Sequence, residues 1–199
     1  MLPSPPSGTR QAEHHFMSRF THRIATLDDL AALRAMMRRA IDRLQSGFLT
    51  PEQVRASHAV MGLDTQLLRD GTYFVVLDGN TIAGCGGWSF RATLYGGDAS
   101  IVAREPEMLD PALDAARIRA MYTNPDHARQ GIGRLVLTLC EDGATAAGFG
   151  RAEMMATLAG EPLYRACGYR RLDAEITAVV DGVLVPLVRM GKQLAPKPR

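Results

Sequence analysis

The residues best suited to chemistry lie in the segment NPDHARQGIGRLVLTLCED, which spans Asn124–Asp142. Gly131 and Gly133 directly precede an apolar helical repeat, and the first N–H groups of a helix together with its dipole can bind an anion. Glycines also let a phosphate approach the main chain, and Arg129 and Arg134 add positive charge. A tight turn into a core helix explains the same glycines equally well, because a Gly-x-Gly pattern alone is a weak signal.

Two common phosphate-binding motifs are excluded at this loop. The dinucleotide-binding fingerprint requires a third glycine three residues after Gly133, where the chain has Val136. The P-loop requires a Gly-Lys-Ser/Thr triplet, which the sequence does not contain. A phosphate-binding loop at this position must therefore belong to another fold.

The composition is that of an ordinary globular chain without a strong overall charge. The 199 residues are 46% hydrophobic and carry a formal net charge of +2, which is too small to indicate nucleic-acid binding. Cys85, Cys140 and Cys167 are widely spaced and form no CxxC motif, which argues against disulfides and a metal site and favours a reducing compartment. Since no apolar run approaches the roughly 20 residues that span a bilayer, we expect a cytoplasmic protein that binds no membrane and no metal.

The periodic part of the chain predicts one mixed α/β domain over residues 21–192. Residues 1–20 are rich in Pro, Ser and Gly and lack the apolar segment of a signal peptide, so we expect a disordered tail, with Met17 as an alternative start. Residues 193–199 are expected to be a flexible tail. The order of predicted elements is β-α-α-β-β-β-α-β-α-β-β.

Sequence patterns place these elements along the chain. They predict a strand at 21–25, helices capped by Thr26 and Thr50, a short helical piece before Gly71, a hairpin around Asp78–Asn80, a strand at 116–123, a helix from Ile132, a strand at 151–158, a short helix at 161–168 and a hairpin around Asp181–Gly182. The helix from Ile132 has its apolar residues at i, i+3, i+4, i+7 and i+8, which predicts one buried face.

A long insertion without clear periodicity separates the two middle strands. It covers residues 90–114, or 88–115 with its flanks, and loops of this length are usually functional or mobile. Trp88, Phe90 and Tyr95 lie among several glycines there, which suits recognition of an aromatic or planar small molecule. Ordinary packing of a long loop on the sheet explains them at least as well.

A second motif, GEPLYRACGYRRL, follows the next predicted strand after the glycine loop. Together, ARQGIGR and LYRACGY resemble the acetyl-CoA motif of the GNAT acyltransferase superfamily, which is a strand, a Q/R-x-x-G-x-G/A loop, a helix, a strand and a short helix with a tyrosine. The resemblance covers residues 21–191 by the order of elements. It implies the mostly antiparallel central sheet of that superfamily, flanked by helices, and acetyl-CoA as cosubstrate.

The resemblance also implies a set of site residues. Tyr164 matches the tyrosine that donates a hydrogen bond or proton to the departing sulfur, although a packing role remains open. The residues expected to bind the cofactor are Met121, Tyr122, Thr123, Arg129, Gln130, Gly131, Ile132, Gly133, Arg134 and Thr157. The chain departs from the motif at Ala128, where Gln or Arg is usual, and at Thr157, where Asn is frequent.

The implied reaction is direct transfer of an acetyl group from acetyl-CoA to a primary amine of a small molecule or peptide. The superfamily does not fix the general base, for which Glu153 and Glu161 are weak candidates. His127 is expected to be an exposed loop residue, His58 is expected on a solvated face, and the three cysteines are expected to fill the core.

Two other functions stay open at this point. The departures at Ala128 and Thr157 keep a catalytically silent CoA-binding sensor as the alternative, and a structural domain that binds no nucleotide is the second. A homodimer is expected only by analogy with other members of the superfamily.

Overall fold

The predicted mixed α/β fold, with a mostly antiparallel sheet flanked by helices, is confirmed. The computed structural model describes residues 19–105 and 107–195. The strands are β1 (Phe20–Ile24), β2 (Tyr73–Asp78), β3 (Thr81–Ser89), β4 (Ala116–Thr123), β5 (Arg151–Thr157), β6 (Arg170–Arg171), β7 (Ile176–Val180) and β8 (Val183–Gln193). The helices are α1 (Leu30–Leu44), α2 (Pro51–Ser57), α3 (Thr65–Arg69), α4 (Ile132–Ala146) and α5 (Glu161–Ala166), with 3-10 turns at Leu27–Asp29 and Pro125–His127.

The strands form one sheet in the order β1-β2-β3-β4-β5-β8-β6, and β7 also pairs with β8. Among the described strands β4 and β5 are the parallel pair, and every other pairing is antiparallel. The core on one side of the sheet gathers around α4, and a second core gathers around α1 and α3. None of the helices in the described part of the chain is both long enough and apolar enough to cross a bilayer.

The predicted order of elements is wrong in two places. The short helical piece is a separate helix, α3, and a strand of two residues, β6, precedes the last hairpin. Both elements are too short to produce a periodic pattern, and β6 exists only because it pairs with β8.

The boundaries of the domain differ slightly from those predicted. Strand β1 begins at Phe20, inside the predicted N-terminal tail, and β8 ends at Gln193, inside the predicted C-terminal tail. The rest of the predicted N-terminal tail, including Met17, and most of the predicted C-terminal tail fall on residues 1–18 and 196–199. These two ranges lie outside the described residues.

Capping side chains explain where the first helices begin. The Thr26 N–H donates to Oδ2 of Asp29 at 2.8 Å, and a 3-10 turn leads from there into α1. At α2 the N–H of Gln53 donates to Oγ1 of Thr50 at 3.3 Å, while the N–H of Thr50 donates to Oε1 of Gln53 at 3.0 Å. These reciprocal bonds satisfy N–H groups that have no intrahelical partner, as the sequence predicts.

Glycines in β3 allow α4 to pack directly on the sheet. A Cβ at Gly84 would collide with Cγ2 of Ile132, and a Cβ at Gly86 would lie 2.6 Å from Cγ1 of Val136. These glycines therefore belong to a buried strand, which is the second strand of the predicted hairpin. Because these two glycines have no side chains, the N-terminal part of α4 can lie close to the sheet.

A bulge in β4 separates it from β5. The two strands pair in register only from Ala116 to Ile118, and pairing between β3 and β4 shifts by one residue just beyond that point. Ala120 has φ 50°, a left-handed conformation that costs an L-residue free energy, and its carbonyl accepts a hydrogen bond from the hydroxyl of Tyr73 at 2.7 Å. The bulge therefore opens a cleft between the two strands.

The insertion is ordered by hydrogen bonds within it. The N–H of Ala92 donates to the carbonyl of Glu107 at 2.9 Å, and the N–H of Leu109 donates to that of Phe90 at 2.8 Å. Trp88 belongs to β3, is only 7% exposed and packs edge-on against Phe90, with ring centroids 5.9 Å apart. The packing interpretation of these two aromatic residues is therefore the correct one.

Candidate functional site

The cleft between β4 and β5 is the candidate site. It is lined by Ile118–Tyr122 of β4, by Met154, Met155 and Thr157 of β5, by Tyr164 and Leu187, by Val60–Gly62 and by Leu94–Gly96. The two last segments come from the α2–α3 connection and from the insertion. Backbone groups of β4 that face the cleft lie beyond its pairing with β5, so they have no strand partner on that side.

The glycine loop has the geometry of an anion site and lies beside Thr123 at the end of β4, the strand that lines the cleft. Gly131 is the N-cap of α4 and has φ 80°, and Arg129 also has a positive φ of 63°. The N–H of Leu135 donates to the carbonyl of Gly131 at 3.1 Å, so the N–H groups of the three preceding residues lie before the first turn of intrahelical bonds. Such a helix start favours a bound anion.

Gly133 has a packing role as well. A Cβ at this position would lie 2.7 Å from Cδ2 of Leu163 and 3.6 Å from Oγ1 of Thr123. The absence of a side chain therefore brings together the start of α4, helix α5 and the end of β4. The glycine therefore serves the packing of a tight turn, and the same position also leaves the first N–H groups of α4 uncovered by a side chain of its own.

Asn124 anchors the segment that leads into the loop, a role that the sequence did not reveal. Its Nδ2 donates to the carbonyl of Ile82 at 2.9 Å, and its Oδ1 accepts from the N–H of Asp126 at 3.2 Å. The Asp126 carboxylate contacts Arg39 and Arg43 on α1. The Asn-Pro pair is the one sequence signal for this turn.

The other residues expected to bind the cofactor lie around the loop and the cleft. Arg129 and Arg134 are exposed and form no ion pair within the described residues, and Nε2 of Gln130 reaches the carbonyl of Asp126 at 3.4 Å. Met121 and Tyr122 line the cleft. The hydroxyl of Tyr122 also accepts a hydrogen bond from the N–H of Gly62 at 2.8 Å, which ties the α2–α3 connection to β4.

Tyr164 faces the cleft from the first turns of α5. It is 9% exposed, and its hydroxyl makes no hydrogen bond with any other described residue. Burial raises the pKa of this phenol, so it stays protonated well above neutral pH. Thr157 lies nearby on β5, where its Oγ1 accepts a hydrogen bond from the N–H of Gly160 at 3.2 Å.

Neither glutamate considered as a general base is free to act as one. Arg117 and Arg189 each donate to Oε2 of Glu153 at 2.7 Å. Glu161 accepts from Arg171 and Arg165, and these hydrogen bonds lower its pKa to about 2. Glu161 is therefore stabilised as an anion with little affinity for a proton, and the two arginines bound to Glu153 hold that side chain away from the cleft lining.

The histidines and cysteines lie away from a catalytic arrangement. The side chain of His127 is only 12% exposed and Nε2 lies 3.1 Å from Oδ2 of Asp78, so the prediction that it is exposed is wrong. His58 is 34% exposed and bonds to Asp42. Burial raises the pKa of the Cys85 thiol to about 12.

The core-filling prediction for the cysteines is correct for two of the three. Cys85 and Cys140 are fully buried, whereas Cys167 is only partly buried. Across residues 19–105 and 107–195, no three potential ligands come close enough together to hold a metal ion.

A buried ion pair beneath the cleft was not visible in the sequence. Nη1 of Arg119 lies 2.6 Å from Oδ2 of Asp64, and Nη2 donates to the carbonyl of Gly96 at 2.7 Å. Arg104 contacts the other oxygen of the same carboxylate at 2.9 Å. Arg119 and Asp64 are too far apart in sequence for a local pattern to connect them. The loss of solvent around the buried Arg119 guanidinium lowers its pKa.

Comparison with known proteins agrees with this geometry. The family model described as "Acetyltransferase (GNAT) family" matches residues 32–169. A GCN5-related N-acetyltransferase from Rhodopseudomonas palustris has a TM-score of 0.64 and 17% identity over 87% of this chain and 95% of that chain. No curated protein matches at a significant level.

Two further solved structures contain the cofactor. PaiA N-acetyltransferase from Thermoplasma acidophilum, in complex with coenzyme A, has a TM-score of 0.59 and 14% identity over 87% of this chain and 98% of that chain. A phosphinothricin acetyltransferase from Sinorhizobium meliloti, in complex with acetyl-CoA, has a TM-score of 0.58 and 18% identity over 89% of each chain. At these identities the likeness establishes the fold.

Proposed function

Because the chain belongs to the GNAT acetyltransferase family, we propose that it transfers the acetyl group of acetyl-CoA to a primary amine of a small molecule or peptide. The observation that carries the proposal is the position of Tyr164. Its hydroxyl forms no hydrogen bond with any other described residue, and its side chain lines the same cleft as the part of β4 that lies beyond the pairing with β5.

The described residues fit acetyl-CoA along this cleft. The N–H groups of Ile132, Gly133 and Arg134 would bind the pyrophosphate. The Gln or Arg side chain that is usual at the position of Ala128 would then not be required. Arg129 and Arg134 would add charge from the surface. The backbone of Met121–Thr123 would pair with the pantetheine arm, with Thr157 on the opposite side.

Acetyl-CoA supplies an activated thioester to this site. The nitrogen lone pair of the acceptor forms the new C–N bond at the carbonyl, and the C–S bond breaks. The phenol of Tyr164 gives its proton to the departing sulfur. The surplus proton of the nitrogen leaves through water and restores the phenol, so the products are an N-acetyl amide and the CoA thiol.

A catalytically silent CoA sensor is the second candidate. Ala128 and Thr157 favour it, since each removes a side chain that would hold the cofactor. The free hydroxyl of Tyr164 argues against it, because a sensor has no use for an unpartnered donor beside the thioester.

Two measurements on the full chain separate these functions. The first is thermal unfolding with acetyl-CoA, CoA or AMP, where a ligand at 100 times its Kd stabilises the folded state by about 2.7 kcal/mol. The second is thiol release from acetyl-CoA with a panel of amines. We expect stabilisation by both CoA forms but not by AMP, together with amine-dependent thiol release.

The other results would exclude one or both of these functions. Stabilisation without thiol release for any amine would favour the sensor. No stabilisation by either CoA form would exclude both functions and leave a structural domain.

A further inference from the structure

We infer that the acceptor enters the cleft as an uncharged, weakly basic amine on an apolar body, of the chemical class of arylamines. This inference rests on the proposed acetyl transfer and specifies its acceptor. It follows from the side chains that line the cleft.

Apolar side chains form much of the cleft lining. Val60, Met61, Leu94, Met155 and Leu187 contribute side chains from four different segments. An ammonium group that leaves water for such a wall loses its hydration and gains no partner there, which is costly. A neutral amine on an apolar or aromatic body avoids this cost and buries its own carbon surface.

The charge in the cleft is also unfavourable to an ammonium. Arg119 is the one charged side chain among the described lining residues. The carboxylate nearest to it, Asp64, is fully buried and already binds Arg119 and Arg104. A cationic amine would therefore meet a guanidinium without a carboxylate of its own, and both burial and like charge lower the pKa of a bound amine.

No described side chain of the lining can remove a proton from an ammonium. The lining holds neither carboxylate nor imidazole, and Glu153 and Glu161 are held by arginines outside it. His127 is paired with Asp78 beside β2. The nitrogen must therefore arrive with its lone pair free, as the nitrogen of an arylamine does at neutral pH.

Tyr95 adds a reason to favour an aromatic body. Its ring lines the cleft and forms no ring pair with other described aromatic residues. A planar aromatic acceptor can stack against this ring or meet it edge-on, which is favourable beyond the burial of apolar surface alone.

The first test compares two amines of similar size, 4-methylaniline and benzylamine. Thiol release from acetyl-CoA gives kcat/KM for each between pH 6.5 and 8.5. We expect 4-methylaniline to be preferred at pH 7, and the preference to fall about tenfold per pH unit because the neutral fraction of benzylamine rises by that factor. A preference for benzylamine at pH 7, or a ratio that does not change with pH, would overturn the inference.

A charge placed in the cleft provides the second test. Leu94→Glu should lower the KM of benzylamine relative to that of 4-methylaniline by about tenfold compared with Leu94→Gln, because the added carboxylate stabilises the bound ammonium ion and one unit in its pKa is a tenfold change in that stability. Leu113→Glu, at a residue that is 71% exposed and outside the cleft, is the control and should leave the ratio unchanged. Equal ratios for Leu94→Glu and Leu94→Gln would contradict the inference.

Spermidine and a lysine-containing peptide distinguish failure of this inference from failure of the proposed function. Acetylation of these cationic acceptors, but of neither 4-methylaniline nor benzylamine, would refute the inferred acceptor class and leave the proposed acetyl transfer in place. Absence of thiol release with all four acceptors would remove the proposed function, and the inference with it.

Discussion

Gly160 lies directly against the ring of Tyr164. A Cβ at position 160 would be 2.8 Å from Cε2 and 3.4 Å from Cζ of that ring. Tyr169 packs edge-on against the same ring, with centroids 6.2 Å apart. Because the ring is confined by both neighbours, the missing side chain of Gly160 determines where the Tyr164 hydroxyl lies in the cleft.

Gly160→Ala should therefore displace the hydroxyl without disturbing the backbone. Gly160 has φ −84° and ψ −26°, which alanine adopts readily. We expect kcat for acetyl transfer to fall by about 10- to 100-fold, since small displacements of a reacting group have effects of this size. Gly150→Ala is the control, because a Cβ there meets nothing within 4 Å. Equal kcat values for the two variants would show that Gly160 does not position the phenol.

Tyr164→Phe tests the proton donor itself. We expect kcat to fall by about 10²-fold with little change in the Kd of acetyl-CoA, because the ring and its packing remain. The sign of the pH effect follows from burial, which raises the pKa of Tyr164 and keeps it protonated as the pH rises. The kcat of the wild type should therefore not fall through ionisation of Tyr164 between pH 7 and pH 10, where an unperturbed tyrosine ionises. An unchanged kcat in the phenylalanine variant would assign Tyr164 to packing alone.

Gly131→Ala tests the anion site, with Gly182→Ala as a matched control. Both glycines have φ close to 80°, and Gly182 lies in the distant β7–β8 turn. A Cβ in this region costs about 1–2 kcal/mol, so both variants should lose similar thermal stability. Only Gly131→Ala should weaken CoA binding, by about tenfold or more, as measured by calorimetry. If both variants bind CoA like the wild type, the loop is only a turn.

Arg119→Met tests the buried ion pair. The Arg119 side chain is 4% exposed and that of Asp64 is fully buried, so removal of one partner should lower the free energy of unfolding by about 3 kcal/mol. Urea unfolding gives this value. Arg55→Met is the control, since the Arg55–Glu52 pair is mostly exposed to solvent and should contribute little to the free energy of unfolding. A loss no larger than that of the control would mean that Arg104 alone compensates Asp64.

Local patterns were sufficient to predict most of the fold. The helix from Ile132 and the strand at Ala116–Thr123 begin where predicted, because helical periodicity and β-branched or aromatic runs are properties of neighbouring residues. Capping at Thr26 and Thr50 depends on contacts three residues apart. Strand β6 and the separate helix α3 depend on packing with distant segments and left no such pattern.

The glycine loop and Tyr164 could be located from sequence, but their surroundings could not. The bulge at Ala120 depends on the pairing of β4 with β3, and no residue type marks it. Glu153 was a plausible base until the structure placed Arg117 and Arg189 against it from other strands. The sequence identifies groups that could react, whereas their hydrogen-bond partners come from distant segments that only the fold brings together.

The hydrogen bond from Arg119 to the carbonyl of Gly96 has a consequence for the thermodynamics of acceptor binding. It joins the insertion to β4, and the N–H of Asp98 joins the same segment to the carbonyl of Leu63 at 2.8 Å. The conformational entropy of this part of the insertion is thus lost during folding and not when the acceptor arrives. Calorimetry should accordingly show a small entropic penalty for acceptor binding, with a heat-capacity change set by the apolar wall alone.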